Sequence, residues 1–218
     1  MPSSHLRGAL AEALSLVFPT WCAGCDLPGV PLCTDCAAAL APDPRMRRLP
    51  DGLRVHSAFA FEGVAARVIR ALKEEGRTPL ARPLGAALRT AAQAADAGGD
   101  VHVVPVPTSR AALRRRGYRV AELVATRAGL APERLLVAAA PSADQRGLGR
   151  AERAGNVAGT MRARRVAGLR IVLVDDVVTT GATLAEAVRT LRDGGADVLA
   201  AATIAATPLR GIITAHRA

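Results

Sequence analysis

The sequence predicts an α/β fold in which helices flank a mostly parallel sheet, with a small cysteine module at the N-terminus. Three observations support this prediction. Apolar, β-branched runs alternate with amphipathic stretches over residues 53–207, an order typical of parallel sheets covered on both faces. All four cysteines fall within residues 22–36. The 218 residues, half of them hydrophobic, suffice for one domain and an appendage, which we place at 46–218 and 1–45.

The first element is predicted to be an amphipathic helix. Glu12 interrupts the apolar stretch, and no small-residue cleavage site of the usual kind follows it, so we favour a helix over a secretory signal. No apolar run approaches the roughly 20 residues that span a bilayer, and a cytoplasmic location is therefore expected. The apolar residues at helical spacing are Leu6, Leu10, Leu14, Val17 and Phe18.

The next segments are assigned from local composition. Residues 41–52, rich in Pro and Arg, are predicted to be a linker. The alternating residues 53–61 suit a strand, and 63–76 and 80–96 suit helices. The β-branched run 101–107 is a strand that should stop near Pro107 or lie at a sheet edge, because proline cannot donate to a ladder.

The C-terminal half continues the alternation. A helix is predicted at 117–129 and a short strand at 134–139, before a polar, glycine-containing segment. Then follow a strand at 169–176, a helix at 181–195 and a final strand at 196–207. Residues 171–174 are apolar at every position, which indicates a strand buried on both faces in the centre of the sheet.

The basic composition leaves two interpretations open. The formal net charge is +10, and a basic balance is typical of proteins that bind nucleic acid or other polyanions. Lys73 is the only lysine, however, and arginine and alanine are abundant in every segment. That pattern equally indicates a bias of composition. The few aromatic residues offer little stacking surface, so any binding of single-stranded DNA should be electrostatic.

The cysteines have the spacing C-x2-C-x7-C-x2-C. Two such pairs can place four thiolates around one ion at tetrahedral angles, which suits a structural Zn²⁺ with no open position. Disulfides, a redox pair and unrelated thiols are the alternatives, and disulfides are disfavoured where no secretion signal is found. The predicted ligands are Cys22, Cys25, Cys33 and Cys36.

Two acids follow the buried strand, and a small polar turn follows them. Asp175 and Asp176 should emerge at the carboxyl edge of the sheet, where ligands bind in open α/β folds. Paired carboxylates suit vicinal hydroxyls or a hydrated Mg²⁺, and the helix N-terminus beyond the turn favours an anion. The sequence thus describes a ribose 5-phosphate site. A plain N-cap is the alternative, but it accounts for only one of these residues.

Residues 172–183, VLVDDVVTTGAT, resemble the phosphoribosyl-pyrophosphate (PRPP) binding motif of type I phosphoribosyltransferases. More closely, residues 12–206 resemble the ComF family. That resemblance also rests on four other stretches, FPTWCAGC…LCTDC, RVIRALKEEG, VPVPTSRAALRRRGY and QRGLGRAERAGNVAG. It implies a type I phosphoribosyltransferase-like fold, structural zinc, Mg²⁺ bound with PRPP, and a link to DNA uptake in natural competence.

The resemblance also implies roles for individual residues. Asp175 and Asp176 would be the catalytic pair at the ribose hydroxyls. The 5-phosphate would lie on Thr179, Thr180, Gly181, Ala182 and Thr183. The pyrophosphate with Mg²⁺ would contact Pro107, Thr108, Ser109 and Arg110, and Arg114 and Arg116 would bind pyrophosphate or nucleic acid. The loop that closes over PRPP would be 141–157, with family positions at Gln145, Arg153 and Asn156.

The sequence departs from the ComF pattern at several positions. Arg119 and Val120 replace the usual Asn and Gln, and Glu74 replaces an aromatic residue. These changes affect the acceptor pocket and the closing loop more than the phosphate turn. In 6-oxopurine transferases a carboxylate base stands where Thr179 stands, and a threonine is no base at neutral pH, so hypoxanthine and guanine are disfavoured acceptors.

Three functions remain open at this point. The first is transfer of phosphoribosyl from PRPP to an unknown acceptor, with displacement of pyrophosphate at the anomeric carbon. The second is PRPP sensing without turnover. The third is an accessory role in DNA uptake, with single-stranded DNA or the uptake machinery as partner. The sequence does not indicate an oligomeric state.

Overall fold

The computed structural model describes residues 20–95, 98–139 and 159–208. The helix predicted for the first residues of the chain lies outside this part. Among the described residues, no helix has the length and apolarity needed to cross a membrane.

A five-stranded sheet organises the domain, in the strand order β1-β2-β7-β6-β3. The strand β1 is antiparallel to β2, and every other pair is parallel. The predicted α/β class with a mostly parallel sheet is confirmed. The strands are β1 (Arg45–Arg48), β2 (Arg54–Ala60), β3 (His102–Pro105), β6 (Arg170–Val178) and β7 (Asp197–Ala206).

The positions of β3 and β6 follow from their residues. β3 lies at the edge of the sheet, where Pro105 has no further strand to which it must donate, and this confirms the expectation from the two prolines. β6 lies between β7 and β3, and residues 171–174 are buried, as their apolar run predicts. β6 continues to Val178, however, so the strand does not end at Asp176 as predicted.

Helices cover both faces of the sheet. On one face lie α2 (Gly63–Glu74), α3 (Ala81–Ala94) and α5 (Val120–Arg127), which bury leucine, isoleucine and valine side chains against the strands. On the other face α6 (Ala182–Asp193) packs Leu184, Val188 and Leu191 against Ile171 and Leu173. Since α3 is alanine-rich, it packs closely on β2 and β7.

Three assignments from the sequence need correction. Residues 41–52 are not a plain linker, because they contain β1, which forms a hairpin with β2. The predicted strand at 134–139 exists as β4 (Leu136–Ala138), but it pairs with β5 (Met161–Ala163) in a separate antiparallel ribbon. The helix α4 (Arg110–Arg116) was not predicted, although Ser109 caps its start and Gly117, at φ 79°, ends it.

The cysteine module is attached to the sheet domain through α2. It contains the short helix α1 (Thr34–Ala38). Arg67 of α2 forms an ion pair with Asp26 of the module. Arg77, just beyond α2, donates to the carbonyl oxygens of Trp21 and Pro31. Charged side chains of α2 and of the segment after it therefore hold the module at two separate points.

Candidate ligand site and metal centre

The carboxyl ends of the parallel strands meet at one edge of the sheet. Pro105 pairs with Val174, and the N–H of Val106 donates to the carbonyl of Val174 at 2.9 Å. The loop that begins at Pro107 therefore follows directly beside Asp175. The structure brings together the two acids, the turn 179–183 and the start of the 107–110 loop.

Asp176 is paired with the only lysine of the chain. Nζ of Lys73, near the end of α2, lies 2.9 Å from a carboxylate oxygen of Asp176, and both side chains are largely buried. Asp176 also accepts from the N–H of Val177 at 2.6 Å. The carboxylate is thus held in place, and its charge is partly balanced before any ligand arrives.

Asp175 has a raised pKa. Burial and the charge of Asp176 raise the pKa of Asp175 to about 8, although the N–H of Asp176 and the charge of Lys73 act in the opposite direction. At neutral pH the protonated form is therefore well populated. The two acids stand next to each other, but only Asp176 has a cationic partner among the described residues.

The turn after β6 is open to solvent where a ligand would approach. Thr179, Thr180, Ala182 and Thr183 are exposed. The hydroxyl of Thr180 accepts from the N–H of Ala182 at 3.3 Å, and α6 begins at Ala182. Because the N–H groups of the first helical turn lack intrahelical partners, this end attracts anions.

Gly181 is required by its backbone and by its neighbour. Its φ of 88° lies in the left-handed region, and a Cβ would fall 2.7 Å from Cδ2 of Leu49. Leu49 follows β1, so the hairpin lies against the turn. Arg47 of the same strand donates to the carbonyl of Thr179 at 2.8 Å. Substitution of Gly181 would first disturb this packing, rather than simply blocking a phosphate.

The loop after β3 provides a helix cap and part of the lining of a cavity. Ser109 is used as the N-cap of α4, accepting from the N–H of Ala112 at 3.2 Å. A cavity of about 180 Å³ opens beside Pro107, Thr108 and Arg110, and Arg119 also lines it. Arg114 is exposed at the end of α4, whereas Nε of Arg116 is buried and has no hydrogen-bond partner within the described segments.

The predicted closing loop lies outside the described residues, and with it Gln145, Arg153 and Asn156. The residues at its two borders are described. β4 and β5 pair on either side, and the N–H of Gly159 donates to Glu186 of α6 at 2.7 Å. Glu186 is buried, and its hydrogen bonds with Arg189 lower its pKa.

The four cysteine sulfurs lie within 4.8 Å of one another. Sγ atoms of Cys25 and Cys33 are 3.7 Å apart, close to the roughly 3.8 Å that two bonds of about 2.3 Å subtend in a tetrahedral zinc site. The donor set and its geometry fit a single metal ion. Gly24 is needed here, since a Cβ would lie 2.5 Å from Sγ of Cys36.

Backbone N–H groups favour the thiolate form of Cys22. N–H groups of Gly24 and Cys33 donate to Sγ of Cys22 at 3.4 and 3.3 Å. Burial opposes ionisation of Cys22, but these N–H groups, together with the N–H of Cys25 and the thiol of Cys33, outweigh it and lower its pKa to about 6. Burial and the neighbouring thiols raise the pKa of Cys36. A cation at the centre would relieve the repulsion between the four thiolates.

The sequence alone did not identify several residues of the ligand site. Lys73 carried one signal, since it is the only lysine beside many arginines. Arg47 and Leu49 carried none, because they come from a segment interpreted as a linker and approach the turn through a hairpin. Glu186 looked like an ordinary helical acid, and only the fold shows that it is buried against Gly159.

Comparison with known protein families identifies the family of the sheet domain. A family model described as the phosphoribosyl transferase domain matches residues 88–211. No curated protein sequence matches. Among solved structures, an adenine phosphoribosyltransferase is 14% identical over 78% of this chain and 89% of its own, with a TM-score of 0.40.

Two further solved structures are similar over part of the chain. Mycobacterium tuberculosis H37Rv orotate phosphoribosyltransferase, in complex with PRPP, is 19% identical over 65% of this chain and 86% of its own, with a TM-score of 0.35. The allosteric regulatory enzyme of purine biosynthesis is 26% identical over 57% of this chain, with a TM-score of 0.36, and the match spans only 26% of that protein. Since the family model covers more than half of the 218 residues, the chain belongs to the phosphoribosyl transferase domain family.

Proposed function

We propose that the protein is a phosphoribosyltransferase that binds PRPP with Mg²⁺ at the carboxyl edge of its sheet. One observation carries this proposal: β6, the turn and α6 place two carboxylates directly before an exposed, threonine-rich helix start. Carboxylates accept hydrogen bonds from vicinal hydroxyls, and a helix start accepts a phosphate. A ribose 5-phosphate presents both groups in one molecule.

Each part of the site has a role in this proposal. Asp175 and Asp176 bind the 2- and 3-hydroxyls of the ribose. The hydroxyls and N–H groups of residues 179–183 hold the 5-phosphate. The pyrophosphate lies toward residues 107–110, beside the neighbouring strand. Arg114, Arg116, Gln145 and Arg153 remain candidates for contacts with the pyrophosphate. When bound, Mg²⁺ would neutralise the pyrophosphate as it leaves, and the carboxylate oxygens of Asp175 and Asp176 suit it.

The reaction would replace pyrophosphate at the anomeric carbon. The bond from that carbon to the pyrophosphate oxygen breaks, its electron pair leaves with pyrophosphate, and the acceptor supplies the pair for the new bond. Asp175 and Asp176 hold the ribose while positive charge develops on the ring. Thr179 supplies no base, so an acceptor that needs a carboxylate at this position is disfavoured.

We also propose that the cysteine centre binds a structural Zn²⁺. Four sulfur ligands leave no position for substrate, and the module of residues 1–45 contacts the domain of 46–218 through Asp26, Trp21 and Pro31. Four neighbouring cysteines without disulfides are consistent with a reducing compartment such as the cytoplasm.

The resemblance to the ComF family supports a second candidate function, in which the domain senses PRPP or binds single-stranded DNA for uptake without turnover. The basic helix α4, with exposed Arg114 and Arg115, is the observation that favours it. Release of pyrophosphate from PRPP, assayed with a panel of acceptors, separates a transferase from a sensor.

Titration calorimetry of PRPP with Mg²⁺ tests the proposed site. Asp175→Asn with Asp176→Asn should remove most binding, because hydrogen bonds to charged groups are worth about 1.5 to 3 kcal/mol each. The matched control is Asp197→Asn, an exposed acid at the opposite end of β7, which should bind as the wild type does. If the wild type binds no PRPP, or the double variant binds it equally well, the proposal is wrong.

A further inference from the structure

Arg47 is a partly buried cation with no counter-ion in the described part of the chain. Its Nη2 donates to the carbonyl of Thr179 at 2.8 Å. Its Nε is buried and makes no hydrogen bond to the described residues, and none of their carboxylates lies within ion-pair distance of it. Burial lowers the pKa of the guanidinium. A buried guanidinium nitrogen without a hydrogen-bond partner is costly unless an acceptor binds to it, and an anionic acceptor would also balance the charge.

Arg47 lines a cavity of about 320 Å³ between the hairpin and the end of β7. The volume is within the range of small-molecule sites. Phe59, Ala60 and Pro208 give the cavity an apolar lining, and Glu62 adds a carboxylate to it. Arg45 also lines it, but the guanidinium of Arg45 is already bound to Asp43 through two hydrogen bonds of 2.8 and 3.1 Å.

This cavity lies beside the proposed ribose site on the same face of the sheet. Ser57, which lines it, pairs with Thr203 of β7, and Thr203 pairs with Asp175 of β6. These three polar residues therefore form one row across three strands. The hydroxyl oxygens of Ser57 and Thr203 are 2.7 Å apart and buried, so a polar row leads from the cavity to the ribose-binding acid.

We propose that this cavity binds the acceptor, and that the acceptor is a small planar acid, an aromatic or heteroaromatic ring with a carboxylate that pairs with Arg47. The proposal rests on the proposed phosphoribosyl transfer. The planar guanidinium matches a carboxylate in two parallel hydrogen bonds, and the apolar walls match the ring. A neutral base would leave the charge of Arg47 unbalanced.

Such an acceptor can take the phosphoribosyl group in a single displacement of pyrophosphate. The lone pair of a ring nitrogen forms the bond to the anomeric carbon of PRPP. The electron pair of the broken carbon–oxygen bond leaves with pyrophosphate, which also takes the ring N–H proton where the acceptor carries one. Arg47 takes no part in bond making, and it positions the ring through the carboxylate.

Calorimetry on the full chain, with and without PRPP and Mg²⁺, tests the proposal with two matched pairs of probes: nicotinate with nicotinamide, and orotate with uracil. At least one acid should bind about tenfold or more tightly than its neutral partner, as expected for a charge-assisted pair. Arg47→Met should abolish that preference, and Arg47→Lys should keep part of it. The control Arg48→Met should retain the preference, because Arg48, on the same strand, does not line the cavity and donates instead to the carbonyl of Gly52.

A third probe, ribose 5-phosphate, identifies the anion. If Arg47→Met weakens ribose 5-phosphate and leaves the acids unaffected, Arg47 serves the 5-phosphate and the acceptor proposal is wrong. It is also wrong if acids and neutral partners bind equally to the wild type. Failure of the wild type to bind PRPP would instead reject the proposed function. Melting temperatures of the variants, measured without ligand, separate loss of binding from loss of folding.

Discussion

The cysteine centre and the ligand site differ in how well the partners of their polar and charged groups are provided by the protein. At the cysteine centre the sulfurs face one another and accept from neighbouring N–H groups, and the four ligands would enclose one ion completely. At the carboxyl edge of the sheet, Arg47 has no anionic partner among the residues that the structure describes, and Asp175 has a raised pKa. This difference is what we expect if the cysteine centre completes the fold and the other site binds a ligand, because satisfied polar clusters stabilise a fold, whereas perturbed or unpaired charges are typical of binding sites.

Loss of the metal should have the largest effect, because it opens the closed site. Purified protein should contain about one Zn per chain, and Cys22→Ser or a chelator should remove it and destabilise the module. Gly24→Ala should act similarly, since its Cβ would collide with Sγ of Cys36. Elemental analysis and thermal unfolding measure both effects.

Gly29→Ala is the control for that prediction. Its φ of 87° makes alanine strained, but no atom lies within 4 Å of the added Cβ. This variant should lose a little stability and keep its zinc. Full stability of metal-free protein would contradict a structural role for the metal.

The second effect concerns Lys73. Lys73→Met removes the ion-pair partner of Asp176 and a positive charge from the proposed PRPP site. It should weaken PRPP binding by about tenfold or more. Lys73→Arg keeps the charge and should retain part of the affinity. Arg70→Met, on the same helix but exposed, should bind normally. Titration calorimetry with PRPP and Mg²⁺ gives the three affinities.

Lys73 also permits a direct observation of the wild type. Because it is the only lysine, an amine-selective reagent should modify only Lys73 and the N-terminal amine. PRPP with Mg²⁺ should protect Lys73 and leave the N-terminus reactive, as peptide mass mapping would show. Equal labelling with and without PRPP would place the ligand elsewhere.

The third effect is a release of protons. Asp175 has a pKa of about 8 in the free protein, so at pH 7 it carries a proton that binding of ribose hydroxyls and Mg²⁺ should displace. Calorimetry in buffers of different ionisation enthalpy should show up to about one proton released, decreasing above pH 8. Asp175→Asn should show no such release.

Asp175 also predicts how stability depends on pH. Its folded-state pKa lies above the unfolded value, so the free energy of unfolding should fall as pH rises from about 4 to about 8 and then level off. Asp175→Asn resembles the protonated acid and should be the more stable variant at pH 8 to 9. Thermal unfolding of both proteins at pH 5 and pH 9 measures the difference. An equal change in both proteins would assign the titration to another group.

The smallest effect should be on the binding of nucleic acid. Replacing Arg114, Arg115 and Arg116 by alanine should weaken any binding of single-stranded DNA and flatten its dependence on salt, without affecting zinc content. Fluorescence anisotropy at several salt concentrations measures this. Binding that does not depend on salt would contradict an electrostatic origin.

The same contrast explains how much the sequence could predict. The cysteine cluster and the β6–turn–α6 unit are continuous in sequence, so spacing and local patterns suffice to locate Cys22 or Gly181. The parallel alternation gave the fold class for the same reason. Edge and centre positions followed from Pro105 and from the apolar residues 171–174, because hydrogen bonding and burial constrain them directly.

What could not be predicted depends on contacts between distant segments. The hairpin of β1 was hidden because arginines and prolines do not resemble a strand, and its pairing with β2 is a tertiary effect. Arg47 reaches Thr179 across 132 positions of sequence. The ion pair of Asp176 with Lys73 likewise joins β6 to α2 and is a tertiary contact.

Two side chains of α2 form ion pairs that require a fixed angle between them around the helix axis. Arg67 contacts the cysteine module and Lys73 contacts Asp176. The two residues are six positions apart on the helix, which corresponds to about 9 Å along its axis and about 240° of rotation. One inserted or deleted residue between them would turn one side chain by about 100° away from its partner. The length of this short segment is therefore constrained from both ends, whereas the identity of its one exposed residue, Arg70, is constrained only by a contact with the ring of Phe61.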